Sequence, residues 1–260
     1  MAGLFIVRET SPDKTETRLS EASLQFARHG FGDPARIRLP GWRALHFGPI
    51  AGGPQSLLHR EDGTVALAGS VTVDGVTGSQ ALERLLDMHL PDVDWSRVDG
   101  QFVALIRQRD RVFVLTDYFA AFQMFHDAGC SVISTSLLAA VGALPRVSFS
   151  PQGVYEYAFN VVPIGDDTIF SELRTLGPER VMELTPDGPA VHHTARRLLP
   201  QPDALPLSER VERSRGVLLD AARAQVTEFG DRIHAPLSGG LDSRLVLAAL
   251  RSVGSSPSLY

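Results

Sequence analysis

The segment Ser238-Gly239-Gly240-Leu241-Asp242-Ser243 constrains this chain more than any other. It follows an apolar run, Ile233 to Leu237, and leads directly into Arg244 to Leu250, which has a helical composition. Strand, Gly-Gly turn, helix is the geometry that aims backbone N–H groups and a helix N-terminus at a phosphate. The glycines allow close approach and positive φ. Ser238 and Ser243 add hydroxyl donors, and Asp242 adds a carboxylate of the kind that holds a divalent cation. No Gly-Lys-Ser/Thr follows, so this is not a Walker loop. A plain surface turn with a serine cap has a similar composition.

With 260 residues there is room for one large domain or two modest ones. A content of 43% hydrophobic and 21% charged residues is that of a globular chain. The formal net charge of −5 and the lack of a basic run argue against a nucleic-acid partner. The N-terminus has no basic leader region, and no stretch approaches the roughly 18 consecutive apolar residues of a spanning helix. No membrane partner is expected. The single cysteine, Cys130, excludes an internal disulfide and a Cys-rich metal site, which suits the cytoplasm.

Up to about residue 199 the pattern is short strands separated by turns. Strands are predicted at Gly3–Arg8, 65–73 and 131–135, with hairpins at 102–117, turning near Asp110, and at 181–193 around Pro186-Asp187-Gly188. Helices are predicted at 20–29, from a Ser79 cap to Leu90, at 137–142, and at 151–159 behind Ser150. A proline-rich linker is expected at 200–207. Beyond it, Ser208 is expected to cap an amphipathic helix to about Phe229, with Val211, Leu218, Ala222 and Val226 as its apolar stripe. Strand, loop and helix follow.

In this order the segments resemble the asparagine-synthetase family. Ser238–Ser243 is similar to the SGGxDS pyrophosphate loop of the ATP-pyrophosphatase group. Val98 to Leu105 resembles the family's L-D-G-x-F strand, Thr116 to Phe125 its R-D segment, and Ser134-Thr135-Ser136 its S-S-E segment. Val162-Pro163, Thr168-Ile169-Phe170 and Leu173 to Pro178 follow its V-P…T-I-F…L-x-P-G pattern. The likeness covers nearly the whole chain. It implies an α+β N-terminal-nucleophile-type αββα sandwich at 1–199, then, at 208–260, the start of a doubly wound, α/β ATP-pyrophosphatase (adenine nucleotide α-hydrolase-like) domain. That domain is expected to continue past Tyr260, in further chain or in a complementing partner.

The departures are as informative. Glutaminases of this class use a cysteine directly after the initiator Met; here that residue is Ala2, whose methyl group is no nucleophile. Ala68-Gly69 stands where the family's Asn-Gly supplies an oxyanion donor, and no Arg-Gly-Pro-Asp lies between Phe31 and Pro54. Cys130 is expected to be a small buried apolar group. Asp99 and Asp117 are expected to be turn and hydrogen-bonding residues. His192 and His193 are expected to face opposite sides of a strand, one on the surface and one in the core. His46, His59, His89 and His126 lack ligand spacing.

The resemblance therefore implies an ATP-dependent amide-forming ligase without glutamine hydrolysis. β-Lactam synthetases and lasso-peptide macrolactam cyclases are relatives of this kind; ammonia-dependent asparagine synthesis is the other. ATP would lie on Ser238, Gly239, Gly240, Leu241, Asp242 and Ser243, with Mg²⁺ on Asp242. The substrate would be a small molecule or peptide carrying the carboxylate and the amine. Arg244 is expected to face solvent or a phosphate. A non-catalytic glutaminase-like binding module, or a remnant needing a partner chain, is the alternative.

Overall fold

The structure, a computed structural model, describes residues 2–50, 52–178, 180–194 and 204–260. Two six-stranded antiparallel sheets dominate it. The first has the order β10-β8-β9-β1-β3-β2, from β1 (Gly3–Arg8), β2 (Ala35–Leu39), β3 (Trp42–Phe47), β8 (Phe125–Asp127), β9 (Val132–Ser134) and β10 (Leu173–Thr175). The second has the order β12-β11-β7-β6-β5-β4, from β4 (Leu57–Arg60), β5 (Gly63–Val73), β6 (Val98–Gln108), β7 (Arg111–Thr116), β11 (Arg180–Thr185) and β12 (Gly188–His193).

The period-two alternation of these strands sorts their side chains into three cores. Leu4, Ile6, Trp42 and Ala44 meet Ala66, Val103, Val114 and Met182 between the sheets. Phe5, Val7, Leu45 and Phe47 point the other way, onto α1 (Pro12–Arg28) and α3 (Leu137–Gly142). On the far face of the second sheet, Val65, Leu67, Phe102 and Phe113 pack against α2 (Gly78–Leu86). The result is a four-layer α/β/β/α sandwich. Both faces of each sheet are covered, so strands such as β1 and β7 read as unbroken apolar runs although the sheets are antiparallel.

Two glycines let the longest strand pair pass closely. Gly69 on β5 has φ +105°, and a Cβ there would fall 2.1 Å from the Gln101 carbonyl oxygen. Gly100 on β6 has φ +129°, and its Cβ would fall 2.3 Å from the Ser70 carbonyl oxygen. Each therefore excludes a side chain.

Several expected boundaries move. Helix α1 begins at Pro12, in the first helical turn behind Ser11, and not near residue 20. Helix α2 is capped at Thr77, not Ser79, and ends at Leu86; Leu90 still reaches the core beneath it. Strands β2, β3, β4, β8 and β10, and the last short strand at Ser258–Leu259, are additional to the expected ones. Ser136 and Ser150 do cap their helices, accepting the N–H of Ala139 in α3 and of Gly153 in α4 (Pro151–Asn160).

Of the expected linker, residues 200–203 lie outside the described residues. Helix α5 (Leu207–Phe229) then starts behind Pro206, so Ser208 sits inside its first turn and is not the cap. A small parallel unit ends the chain: β13 (His234–Ala235), the Ser238–Ser243 loop, α6 (Leu241–Ser252) and β14 (Ser258–Leu259). Ala222 of α5 and Ala249 and Leu250 of α6 close a minor core with Ala235. A mainly apolar cavity of about 420 Å³ opens beside it, lined by Leu218, Phe229, Ile233 and Val246 among others. Leu241 and Leu245 of α6 stay exposed.

Candidate functional site

Residues 238–243 leave β13 at its carboxyl end and enter α6, as a ligand-binding crevice of a parallel sheet requires. Gly239 takes φ +76°, turning the chain where a Cβ would be strained. Gly240 is the N-cap. The hydroxyls of Ser238 and Ser243 lie 3.2 Å apart, and Ser243 Oγ also donates to the Gly240 carbonyl at 3.2 Å. The first N–H groups of α6 have no partner four residues back, and they point out of the helix start at an exposed turn. Asp242 sits in that first turn, with its residue exposed. A loop with two hydroxyls, a left-handed glycine and a helix N-terminus suits a polyphosphate; the adjacent carboxylate suits a hard divalent cation. Arg244 is exposed, yet its Nε donates to the Gly240 carbonyl at 3.2 Å, which folds the guanidinium back over the loop.

The segment around Ala2, where the resemblance implies that the nucleophile is absent, lies in the sandwich. Ala2 is 5% exposed and borders a cavity of about 150 Å³. The remaining walls are Pro49 and residues 52–56, Leu67, Gly69 and Ser70 of β5, and Glu228 and Phe229 of α5. Ala68 does not line it: the methyl group is fully buried between the sheets. Cys130 lies in the β8–β9 turn, 3.3 Å from His126 Nδ1, and burial pushes its thiol up to about 11. Burial thus disfavours the thiolate that a nucleophile requires.

Asp117 is a structural residue, as expected. It is 1% exposed, and its two carboxylate oxygens accept the N–H groups of Phe102, Phe119, Ala121 and Phe122 at 2.8–3.3 Å. Asp99 is exposed within β6, opposite Thr72, and so does not occupy a turn. The surface-and-core expectation for the histidine pair fails: His193 is exposed, and His192 is half-buried, its Nε2 2.8 Å from Glu183. Strand β12 is an edge strand, so neither of its faces is deeply covered. Burial lowers the pKa of His46, whose Nε2 lies 3.2 Å from the Leu67 carbonyl. Among the described residues, no three His, Cys, Asp or Glu side chains gather as a metal site.

Glu228 is the residue that motif matching misses. Its Oε2 is buried with no hydrogen-bond partner among the described residues, and burial raises its carboxyl to about 7. The available signal was an acidic residue in the last turn of α5, where the helix dipole disfavours it.

No helix among the described residues is long and apolar enough to cross a membrane. No protein-family model matches the chain, and no curated protein sequence matches it. Among solved structures, it is similar to a glutamine phosphoribosylpyrophosphate amidotransferase from B. subtilis complexed with ADP and GMP, at 11% identity and a TM-score of 0.41. It is also similar to an allosteric regulatory enzyme of purine biosynthesis, at 12% identity and a TM-score of 0.44. Each alignment covers 99% of this chain and 65% of the other, so the chain spans just under two thirds of these enzymes' length.

Proposed function

We propose that this chain carries the amino-terminal part of an ATP-dependent amide-forming ligase of the asparagine-synthetase type, in which a glutaminase-like sandwich has lost glutamine hydrolysis. The observation that carries the reading is the Ser238–Ser243 loop, at the carboxyl end of a parallel strand and the start of α6. In this reading the loop's N–H groups and the Ser238 and Ser243 hydroxyls hold the triphosphate of ATP, and Asp242 holds Mg²⁺. The cation supplies charge neutralisation at the departing pyrophosphate. A substrate carboxylate attacks the α-phosphorus, and pyrophosphate leaves. An amine of the substrate, or ammonia, then attacks the acyl carbon, and AMP leaves with the bonding electrons. Downstream carboxylates and a basic residue, from further chain or from a partner, complete the site.

Ala2 supports the loss of glutamine chemistry, because a methyl side chain cannot form the thioester. The titration that tests the ligase reading is ATP with Mg²⁺ against the native chain and Asp242→Ala. Saturable, Mg²⁺-dependent binding that weakens in the variant supports it; no binding by either refutes it. Release of ammonia from glutamine above a protein-free blank would refute the loss of glutaminase activity.

A second reading has its own observation. The exposed Leu241 and Leu245 on α6, with the apolar cavity beside α5, suit a module that docks a partner chain. ATP binding by the isolated chain favours the ligase; its absence together with stable binding of a partner chain favours the module.

A further inference from the structure

The cavity beside Ala2 is separate from the phosphate loop: none of its lining residues belongs to 238–243. It is also not closed by the sandwich alone, because Glu228 and Phe229 reach it from the last turn of α5. Three circumstances at Glu228 are each unfavourable for folding. The carboxylate stands at a helix C-terminus, where the dipole repels negative charge. Its Oε2 is buried with no partner among the described residues. Among the described residues, no other lining residue has a titratable side chain, and none of them is a cation. The Arg232 guanidinium is not among the lining groups; its Nη1 lies 3.9 Å from where a Gly52 Cβ would stand. A glutamine or leucine at 228 would serve packing better, so packing does not explain the carboxylate.

Carboxylate and helix C-terminus together form an electronegative end, and what complements it is a cation with several N–H donors. The rest of the wall is largely apolar: Ala2, Pro49, Pro54, Leu67 and Phe229. About 150 Å³ is the share of roughly five water molecules, enough for a ligand of about four or five heavy atoms. We propose that this cavity is a binding site for a short primary alkylammonium compound, its ammonium on Glu228 and its alkyl body against Ala2, Leu67 and Phe229. The site does not depend on the ligase reading, and it differs from a glutamine site in resting on a carboxylate from α5.

The probe is n-propylammonium chloride, titrated calorimetrically into the full chain at pH 8, with sodium chloride and n-propanol as controls. Saturable one-to-one binding of the ammonium salt, and none of the alcohol, is expected. Glu228→Gln should weaken it roughly tenfold or more, the loss of a charge-assisted hydrogen bond, with an unchanged circular dichroism spectrum. Ala2→Leu keeps the carboxylate but fills the cavity, and it should abolish binding even if Glu228→Gln does not fold. The proposal is overturned if the native chain shows no saturable heat, if n-propanol binds equally well, or if Ala2→Leu or a folded Glu228→Gln binds like the native chain.

Discussion

Ser238 Oγ lies 3.2 Å from Ser243 Oγ across the turn into α6. Two hydroxyls five residues apart thus converge on one side of a helix N-terminus, leaving the turn itself to Gly239. This makes the loop a preformed cradle and sets what substitution within it should do.

Gly239→Ala should separate backbone geometry from contact loss. A Cβ there meets no atom within 4 Å, so its cost is backbone strain alone at φ +76°. We expect about 1–2 kcal/mol of lost stability by chemical denaturation. A larger proportional loss of Mg·ATP binding is expected, since relaxation of the turn moves the N–H groups.

Asp117→Ala should destabilise the sandwich by about 3 kcal/mol or more, because it orphans the N–H groups of Phe102, Phe119, Ala121 and Phe122 together. Asp117→Asn retains one acceptor oxygen and should fall between. Urea midpoints at constant slope measure both; an alanine variant as stable as the native chain would contradict the role assigned here.

Glu228 makes stability pH-dependent in a particular direction. Its folded carboxyl titrates at about 7, raised by burial above the ordinary 4.5, so the folded state binds the proton more tightly. Its contribution is therefore fully present below pH 4.5 and is lost as pH rises to 7. Glu228→Gln should flatten that part of the profile and raise the melting temperature at pH 8 relative to the native chain. Equal native and variant profiles would show that the carboxyl is solvated.

Cys130 should resist thiol reagents in the folded state. A thiol raised from 9.0 to about 11 has roughly a hundredfold less thiolate at neutral pH. Burial at 7% exposure slows it further. Ellman's reagent should label it slowly in buffer and rapidly in guanidinium chloride; equal rates would be inconsistent with the buried turn.

Much of the sandwich was legible because its strands are long and apolar on both faces. The β6–β7 hairpin could be read from Phe102 and Val112 onward, with its turn at Asp110. Strands β2 and β3 were missed although Pro40-Gly41 joins them, because Arg36, Arg38 and Arg43 break the apolar run that marked the others. On the edge strand β2, Arg36 and Arg38 are the outward-facing half of an ordinary alternation. Helix α1 was shortened for a similar reason: Thr15, Leu19, Ala22 and Phe26 keep helical spacing, but the first turn, Pro12-Asp13-Lys14, looks like a loop unless Ser11 and Pro12 are taken as a start signal. At the sites, the Ser238–Ser243 loop is contiguous and could be seen directly. The cavity joins Ala2, Pro49, residues 52–56, Leu67, Gly69, Ser70, Glu228 and Phe229, and only tertiary structure brings these together.

The placement of β1 has a consequence for synthesis. Leu4 donates its N–H to Thr135 Oγ1 at 2.9 Å across 131 residues, and β1 lies between β3 and β9. On a ribosome, β3 follows soon after β1, whereas β9 emerges later by on the order of ten seconds. During that interval the Leu-Phe-Ile-Val strand has one bare edge, open to pairing with any other nascent copy. Fragments ending before residue 132 should therefore aggregate, whereas those reaching through β11 should not.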